Sequence, residues 1–493
     1  MPQGQFPDNK WVLMQSRVNW LLLGNIMFAN FLIGVSHRIV AISLPTIANS
    51  LETDIVGISW TLISYQLASI SLSMVFGRIG DLYGRQTIFR AGLVIFTVSS
   101  LLSGLAQNVL QLVPFRFTDG IGATMVQASG RVSAMEAAPE GWAGKTQGLI
   151  NIAYQSGFLF GSTLGGLIID YIHWRGIFFF LVPFGAAAAA LTWLNDNGAK
   201  AGNTPGVTPP ASIDYLGASL LVVVTIAMIA ILDPRLMAII GTGWQIGFVV
   251  VFVALFFGFI LHEATTASPI IELSLFRIRQ FTFSTLCLLL VAITQALSLF
   301  LLPFYFQEIL LLSPTFMGLL FMTMPIFGIT LAPLGGFLFD RVGPRLPATT
   351  GIIFYGGAAL LGGRLRTDSH WFLPTIMLAL GGCGTALFYP ANHTAMISSV
   401  PREHRGVASG AIYMIFGLGD TLGIALGRFL MTALFRFHTG LSEASPTTAN
   451  PTVFVAAMNT TFLVIAILNL IAVVCSLARG KNPAALPIPS KGN

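Results

Sequence analysis

Long apolar stretches recur along almost the whole chain, and they restrict its fold more than any other feature. A helix needs about 20 mostly apolar residues to cross a bilayer, and about fourteen stretches satisfy that length. Only 9% of the residues are charged, whereas a soluble domain has about 25%. The sequence therefore predicts an all-α integral membrane protein, with spans near 19–44, 57–77, 88–107, 109–137, 147–170, 176–195, 214–233, 243–262, 280–304, 314–339, 347–364, 371–398, 406–432 and 452–478.

The basic residues between these spans indicate the orientation. With a cytoplasmic N-terminus, roughly 16 lysines and arginines fall in inside segments and roughly 5 in outside loops, which is the bias expected of cytoplasmic loops. An even number of spans returns the C-terminus to the cytoplasm. We therefore expect a multi-pass protein of the plasma membrane. The basic residues are dispersed along the chain, so no nucleic-acid partner is predicted.

An internal repeat divides the chain into two similar halves. The segment that begins at Gly120 aligns without gaps on the segment that begins at Gly382, with identities at Gly122/Gly384, Pro139/Pro401, Gly144/Gly406, Gly148/Gly410, Gly157/Gly419, Gly161/Gly423 and Gly165/Gly427. Two such halves, related by an axis along the membrane normal, are one transporter architecture. We predict a six-helix bundle over 1–195, a linker with two inserted helices over 196–262, a second six-helix bundle over 263–478 and a disordered tail over 479–493.

A charged turn also occurs in both halves. "FGRIGDLYGRQTIFR" at 76–90 is matched by "GGFLFDRVGPR" at 335–345. Glycines permit a sharp turn, and an Asp and an Arg four residues apart can pair with each other or with helix ends. One interpretation is that the two turns latch the halves together in one conformational state. The alternative is that they form only surface ion pairs, with basic residues that keep these loops on the cytoplasmic side. The latch residues would be Gly77, Asp81, Gly84, Arg85, Asp340, Arg341 and Arg345.

Several segments resemble known signatures when they are taken together. "GRIGDLYGR" resembles the loop 2–3 signature of the major facilitator superfamily, "RFTDGIGA" at 116–123 its helix-4 signature, and "GFLFGSTLGG" at 157–166 the antiporter signature of helix 5. The chain is similar to the fourteen-helix drug:proton antiporter branch of that superfamily. It departs from the branch at Ser162, where proline is usual, at Ser36, where an Asp is frequent, and at Asp119, where the signature has a Gln-like residue.

This resemblance implies a fold and a mode of action. The fold would have two six-helix bundles plus two inserted helices, with helices 1, 4, 9 and 12 lining a central cavity. Gly157, Gly161 and Gly165 are four residues apart along one helix face, which permits close helix packing; the resemblance adds a link to export.

Ionisable residues within membrane spans are costly and usually line a cavity. Asp119, Asp420 and His37 are the candidates for proton coupling. Arg116 and Asp119 are three residues apart and share a helix face, so a rocking motion that separates them would change the proton affinity of the carboxylate. The alternatives are a permanent ion pair for Asp119, a capped core carboxylate for Asp420 and a simple hydrogen bond for His37. The predicted substrate-cavity residues are Arg38, Arg116, Arg131, Tyr389, Asn392 and His393, of which Arg131 and His393 are equivalents in the repeat.

The function predicted from these features is proton-coupled export of small amphipathic compounds by alternating access. The cationic residues of the cavity leave a second reading open, a proton-coupled carrier of an anionic metabolite. The chain has no GxxxxGK[ST] loop and no metal-ligand spacing, so neither an enzyme, a cofactor nor a metal is predicted. The expected partners are the lipid bilayer, protons and a small-molecule substrate, and the expected state is a monomer.

Overall fold

The computed structural model of the chain is helical throughout its described residues, which are 20–137, 143–194, 214–232, 242–266, 273–400, 405–440 and 450–480. No strand occurs among them, and the all-α prediction is confirmed. Their fourteen α-helices are α1 (Trp20–Ser50), α2 (Ile55–Tyr83), α3 (Arg85–Leu105), α4 (Val109–Ala137), α5 (Ala143–Tyr171), α6 (Gly176–Leu194), α7 (Tyr215–Ile231), α8 (Thr242–Thr265), α9 (Arg279–Phe304), α10 (Pro314–Val342), α11 (Arg345–Gly362), α12 (Phe372–Ser398), α13 (Arg405–Thr439) and α14 (Pro451–Leu477).

Eleven of these helices contain a described stretch long and apolar enough to cross a membrane. The other three are α4, α7 and α11. Helix α4 carries Arg116 and Asp119 within its length, α7 has an apolar stretch of fewer than 18 residues, and α11 is 18 residues long but begins with Arg345 and contains several polar or small residues, which lower its hydropathy. The predicted linker before α7 and the predicted tail after residue 480 lie outside the described residues.

Helix packing follows the same pattern in the two halves of the chain. In the first half α1 packs on α5, and α4 packs against both α2 and α3; in the second half α9 packs on α13, and α12 packs against both α10 and α11. Helices α6 and α14 occupy equivalent places, because each contacts the first and third helices of its own half. The halves meet through two equivalent contacts, α5 with α10 and α2 with α13. This pattern agrees with the internal repeat of the sequence.

Glycines allow the closest of these contacts. Gly157, Gly161 and Gly165 of α5 lie against α1: a side-chain carbon on Gly157 would stand 2.8 Å from the backbone nitrogen of Val35, and one on Gly161 would stand 2.9 Å from the Val35 carbonyl oxygen. Gly419, the counterpart of Gly157, lies against α9 in the same way. Small residues at such positions let helix backbones approach each other directly.

The two inserted helices are attached to the seam between the halves. Helix α8 packs on α7, and α7 packs on α2. Nε2 of His262 in α8 lies 2.8 and 3.0 Å from the two carboxylate oxygens of Asp214, which caps α7. Arg428 of α13 is fully buried and donates, over 3.5 Å in each case, to the Ile229 carbonyl of α7 and the Ser59 hydroxyl of α2. One arginine thus joins the insertion to both helices of a contact between the halves.

Gly161→Ala should destabilise the folded protein, because the added methyl group would meet the backbone of α1. Overpacking of this kind costs about 1–3 kcal/mol. The matched control is Gly258→Ala in α8, where nothing lies within 4 Å of the added carbon and the helix propensity of alanine adds up to about 1 kcal/mol of stability. Thermal unfolding in detergent micelles measures both variants, and equal midpoints would contradict the packing of α5 on α1.

Candidate functional site

Arg116 and Asp119 form a buried ion pair on α4. Both side chains are 0% exposed, and Nη1 of Arg116 donates to Oδ2 of Asp119. The Ser36 hydroxyl of α1 lies 3.5 Å from the same carboxylate oxygen, and the Arg116 guanidinium lies 4.6 Å from the ring centre of Tyr65 in α2. All these partners belong to the first half, so a movement between the halves leaves the pair together. In this structure the Arg116 side chain reaches no accessible surface, and its predicted cavity position stays a prediction.

Asp420 lies at the junction between the halves. It belongs to α13, accepts a hydrogen bond from Nε2 of Gln66 in α2, and has Oδ2 3.8 Å from Nε2 of His37 in α1. The side chains of Asp420 and His37 are each 17% exposed, in contrast to the sealed carboxylate of Asp119. Asp420 therefore takes its partners from the opposite half, and part of its side chain remains exposed. A rocking motion would change its surroundings.

Arg38 connects α1 with helices of both halves near this junction. Its Nε donates to the Ser162 hydroxyl of α5 over 3.3 Å, and its guanidinium lies 4.7 Å from the ring centre of Phe321 in α10. Ser162 stands where the antiporter signature usually has proline, and a proline side chain would offer Arg38 no acceptor. This departure from the signature therefore has a local structural consequence.

Helix α12 contributes one tyrosine and one histidine with partly exposed rings. The Tyr389 hydroxyl donates to Oε1 of Gln295 in α9 over 2.5 Å, and the rings of Tyr389 and His393 are 5.5 Å apart between centres. Asn392 between them is 0% exposed and donates to the Ser284 carbonyl of α9 over 3.1 Å. In this structure the Asn392 side chain joins α12 to α9, and its predicted cavity position stays a prediction.

Arg131 is the sixth residue predicted to line the cavity. Its guanidinium donates over 3.5 Å to Oε1 of Gln127, one turn earlier on the same helix, and the side chain is partly buried. The facing arrangement of Arg131 and His393 across the pseudo-twofold axis stays a prediction.

The two charged turns share an unusual backbone conformation. Gly84, between α2 and α3, has φ of 94°, and Gly343, between α10 and α11, has φ of 75°. Only glycine adopts this region without strain. Arg85 and Arg345 follow as the first residues of α3 and α11. The sequence match between the turns therefore extends to their geometry.

The latch itself stays a prediction, because the side chains of Asp81 and Asp340 lie outside the described part of the chain. Among its other predicted members, Gly77 has open space around its α-carbon. The Arg341 guanidinium lies 4.2 Å from the ring centre of Phe337, one turn earlier on α10.

Hydrogen bonds between the halves join the helix ends that the charge bias assigns to the outside. Nδ2 of Asn49, near the end of α1, donates to Oε1 of Glu308 over 2.7 Å. Oδ2 of Asp170, near the end of α5, accepts the backbone N–H of Thr315 over 2.7 Å. Each bond links a helix of the first half with a segment of the second, so the two halves are in contact at this end of the molecule.

Sequence reasoning misses three side chains of this site. Gln66 and Gln295 hold Asp420 and Tyr389 respectively, and the Tyr65 ring packs on the Arg116 guanidinium. An amide within an apolar stretch is costly unless it is bonded, and that cost is the signal that points to the glutamines. Nothing in the sequence separates Tyr65 from a packing aromatic.

The sequence profile of the Major Facilitator Superfamily matches residues 26–293 and 284–492. The chain belongs to this superfamily. Similar curated members are the riboflavin transporter RibZ of Clostridioides difficile, 26% identical over 82% of this chain and 87% of the relative, and the multidrug transporter protein MdtP of Bacillus subtilis, 26% identical over 84% and 75%. The tetracenomycin C resistance and export protein of Streptomyces glaucescens is 27% identical over 84% and 76%. The multidrug and tetracenomycin C export names agree with the drug:proton antiporter branch that the motifs resemble.

Solved structures support the same fold. A bacterial homolog of the human lysosomal transporter Spinster, inward-facing and unoccupied, superposes with a TM-score of 0.67 at 14% identity, covering 94% of this chain and 97% of that one. The nucleoside transporter NupG superposes with a TM-score of 0.63 at 12% identity, covering 94% and 99%. The superfamily match and the transporter names of the curated relatives, together with the apolar helices, make this chain a multi-pass membrane transporter of small molecules.

Asp119→Asn should lower the free energy of unfolding by about 3–5 kcal/mol, because it leaves the Arg116 charge buried without its counter-ion. Asp420→Asn should cost about 1 kcal/mol or less, since an amide oxygen still accepts from Gln66 at this accessible position. Unfolding midpoints in detergent compare the two variants. The double variant Arg116→Met/Asp119→Leu should regain most of the loss, because apolar side chains replace both charges. Equal destabilisation by the two single changes would contradict the assigned environments.

Proposed function

We propose that this transporter exports small amphipathic compounds in exchange for protons, by alternating access. The two halves would rock about their junction and expose a central cavity to one side of the membrane at a time. The observation that carries the proposal is the position of Asp420, held by Gln66 and close to His37 from the opposite half. A titratable group that bridges two moving bodies changes its surroundings whenever they move.

Coupling then follows from ordinary electrostatics. The charge state of a carboxylate depends on its burial, on hydrogen-bond donors and on nearby charges. Separation of the halves takes Gln66 and His37 away from Asp420 and so alters its proton affinity. By thermodynamic linkage, a proton on Asp420 alters the equilibrium between the two arrangements by the same free energy. His37, as the nearest imidazole, would pass protons to or from the carboxylate.

The ion pair on α4 would have a different role. Because Arg116 and Asp119 stay within one half and are sealed from the cavity, we assign them to rigidity of that half. The proton-carrying role that the sequence offers Asp119 passes to Asp420. Arg38 follows His37 on α1 and contacts α5 of the first half and α10 of the second. Its contacts would therefore also change when the halves move.

The arrangement in the membrane completes the proposal. Cytoplasmic termini and insertion in the plasma membrane are supported by the bias of basic residues. The bundles would span 1–195 and 263–478, joined by the segment 196–262 and followed by a tail over 479–493. We also propose that the charged turns around Asp81 and Asp340 latch the cytoplasmic ends, and that the transporter acts as a monomer.

A second function, carriage of an anionic metabolite with protons, is favoured by the Arg38 guanidinium near the junction. Arg38 and His37 are neighbours on α1, and the Asp420 carboxylate beside them is already bonded to Gln66. Uptake assays with small carboxylates and with lipophilic cations separate this carrier from an exporter of amphipathic compounds.

Asp420→Asn should abolish transport that is driven by a pH gradient, because the coupling group no longer titrates. In proteoliposomes with an imposed pH gradient, accumulation of a fluorescent amphipathic compound should fall to the level of protein-free vesicles. Exchange of substrate for substrate without a gradient should persist, since the halves can still rock. Asp368→Asn, an exposed residue of an outside loop, is the matched control. Full pH-driven accumulation by Asp420→Asn would refute the assignment.

Asp81→Asn should reduce flux without reducing the amount of protein in the membrane, because the latch would be weakened while the fold persists. Quantitative immunoblots of membranes and initial rates of transport measure the two effects separately. Asp340→Asn should behave in the same way, as the counterpart in the repeat. Normal flux in both variants would leave the turns as membrane anchors only.

A further inference from the structure

Two aromatic side chains on α5 face the interior of the protein. Tyr154 and Phe158 are one helical turn apart, with ring centres 4.9 Å apart and an edge-to-face angle of 80°. Ile152 and Phe160, each two positions away and so about 200° around the helix, are exposed to the surroundings of the bundle. The rings of Tyr154 and Phe158 nevertheless keep part of their surface accessible. That accessible surface therefore lies on the side of α5 turned away from the lipid.

Two further rings extend this face within the first half. His37 of α1 lies 5.3 Å from Phe158 and 5.7 Å from Tyr65 of α2, between ring centres. We call Tyr154, Phe158 and His37 the first aromatic wall. Tyr65 is only 4% exposed and packs on the Arg116 guanidinium, so it supports His37 without joining the accessible surface. Both helices that carry the wall, α1 and α5, belong to the first half.

The second half carries a matching surface. Tyr389 of α12 lies 5.9 Å from Phe416 of α13 and 5.5 Å from His393, between ring centres. Its hydroxyl is fixed by Gln295 over 2.5 Å, and all three rings are partly accessible. We call Tyr389, Phe416 and His393 the second aromatic wall.

The repeat relates the two walls, and Asp420 joins them. Tyr154 and Phe416 are equivalents, each three residues before a glycine that packs its helix on the first helix of its half. Phe416 is also one turn before Asp420, which contacts Gln66 and His37 of the first half. In a transporter of two halves related by a pseudo-twofold axis, equivalent positions beside such a contact are placed to face the substrate site at the interface between the halves.

The charges beside these walls do not favour a cation. Asp420 already accepts from Gln66, has His37 3.8 Å away and interacts with the charge of Arg38. A cationic ligand would compete with these groups, whereas the imidazoles and the guanidinium offer hydrogen-bond donors to a neutral or negatively charged group.

We propose that the cavity binds flat aromatic compounds, neutral or acidic, stacked between the first and second aromatic walls. This proposal rests on the proposed export function and specifies its substrate class. Ring faces and edges favour offset-stacked and edge-to-face neighbours over saturated carbon of the same area. The donors around Asp420 hold the polar group, and the walls hold the ring.

The test uses one carbon skeleton with the full-length protein at equilibrium and no pH gradient. Anthracene carboxylate, anthracene carboxamide and aminomethyl anthracene differ in charge, and fully hydrogenated anthracene carboxylate lacks the flat ring. Fluorescence titration, with displacement for the saturated compound, measures binding in detergent micelles. The carboxylate and carboxamide should bind more tightly than the saturated acid and than the amine. Equal affinity of the saturated acid, or tightest binding of the amine, would overturn the proposal.

Variants locate the site. Phe158→Leu and Tyr389→Leu should each weaken the binding of anthracene carboxylate by about two- to tenfold, as expected for loss of one aromatic contact. Neither change should alter the affinity for the saturated acid. Tyr389→Phe keeps the ring and should keep the affinity, which guards against misfolding of the leucine variant. Phe160→Leu on the outer face of α5 is the matched control. Equal affinities in all four variants would place the ligand elsewhere.

The outcome is separable from that of the proposed function. Ring-dependent binding without pH-driven transport would refute proton-coupled export and leave the aromatic site standing. Transport that needs Asp420 but does not distinguish flat from saturated compounds would refute the aromatic site alone.

Discussion

The interior of a bilayer offers no hydrogen bonds to peptide groups, so a chain that crosses it forms helices whose backbone bonds are internal. Every charge within those helices must then be enclosed by protein. In this transporter the enclosed charges lie where several helices meet: Arg116 and Asp119 where α4 meets α1 and α2, and Arg428 where α13 meets α2 and α7. Glycines in α5 bring its backbone so close to that of α1 that lipid is excluded from between these two helices.

Two carboxylates show how the same residue type acquires different chemistry. Asp119 has a guanidinium three residues away and partners from its own half, so its surroundings do not depend on the position of the other half. Asp420 has an amide and an imidazole from the opposite half and a partly accessible surface, so its surroundings depend on the position of two bodies. Transport that is driven by protons needs the second kind of group. The first kind keeps a bundle rigid while it moves.

The fold repeats, but its chemistry does not. Asp420 and Phe158 occupy equivalent places in the aligned halves, and both lie next to His37. The second half also has no ion pair equivalent to Arg116 and Asp119, because Gly381 occupies the position that corresponds to Asp119. Symmetric packing gives two bodies that can rock, and we propose that asymmetric side chains give that movement its ion and its preferred ligand.

The helices, the repeat and the family can be predicted from the sequence, because they depend on local composition and spacing. Apolar length predicted the helices, the repeated glycines predicted two similar bundles, and the charged turns near Gly84 and Gly343 pointed to a known superfamily. The pairing of Arg116 with Asp119 also followed, since a helix places residues three apart on one face. What the sequence alone determined was therefore the set of helices, their repeat and their family. Only the tertiary structure decided that Asp420 meets Gln66 across 354 residues of chain and that Asn392 is sealed against α9, because contacts between distant helices depend on which faces they turn to each other, and no local spacing records that choice.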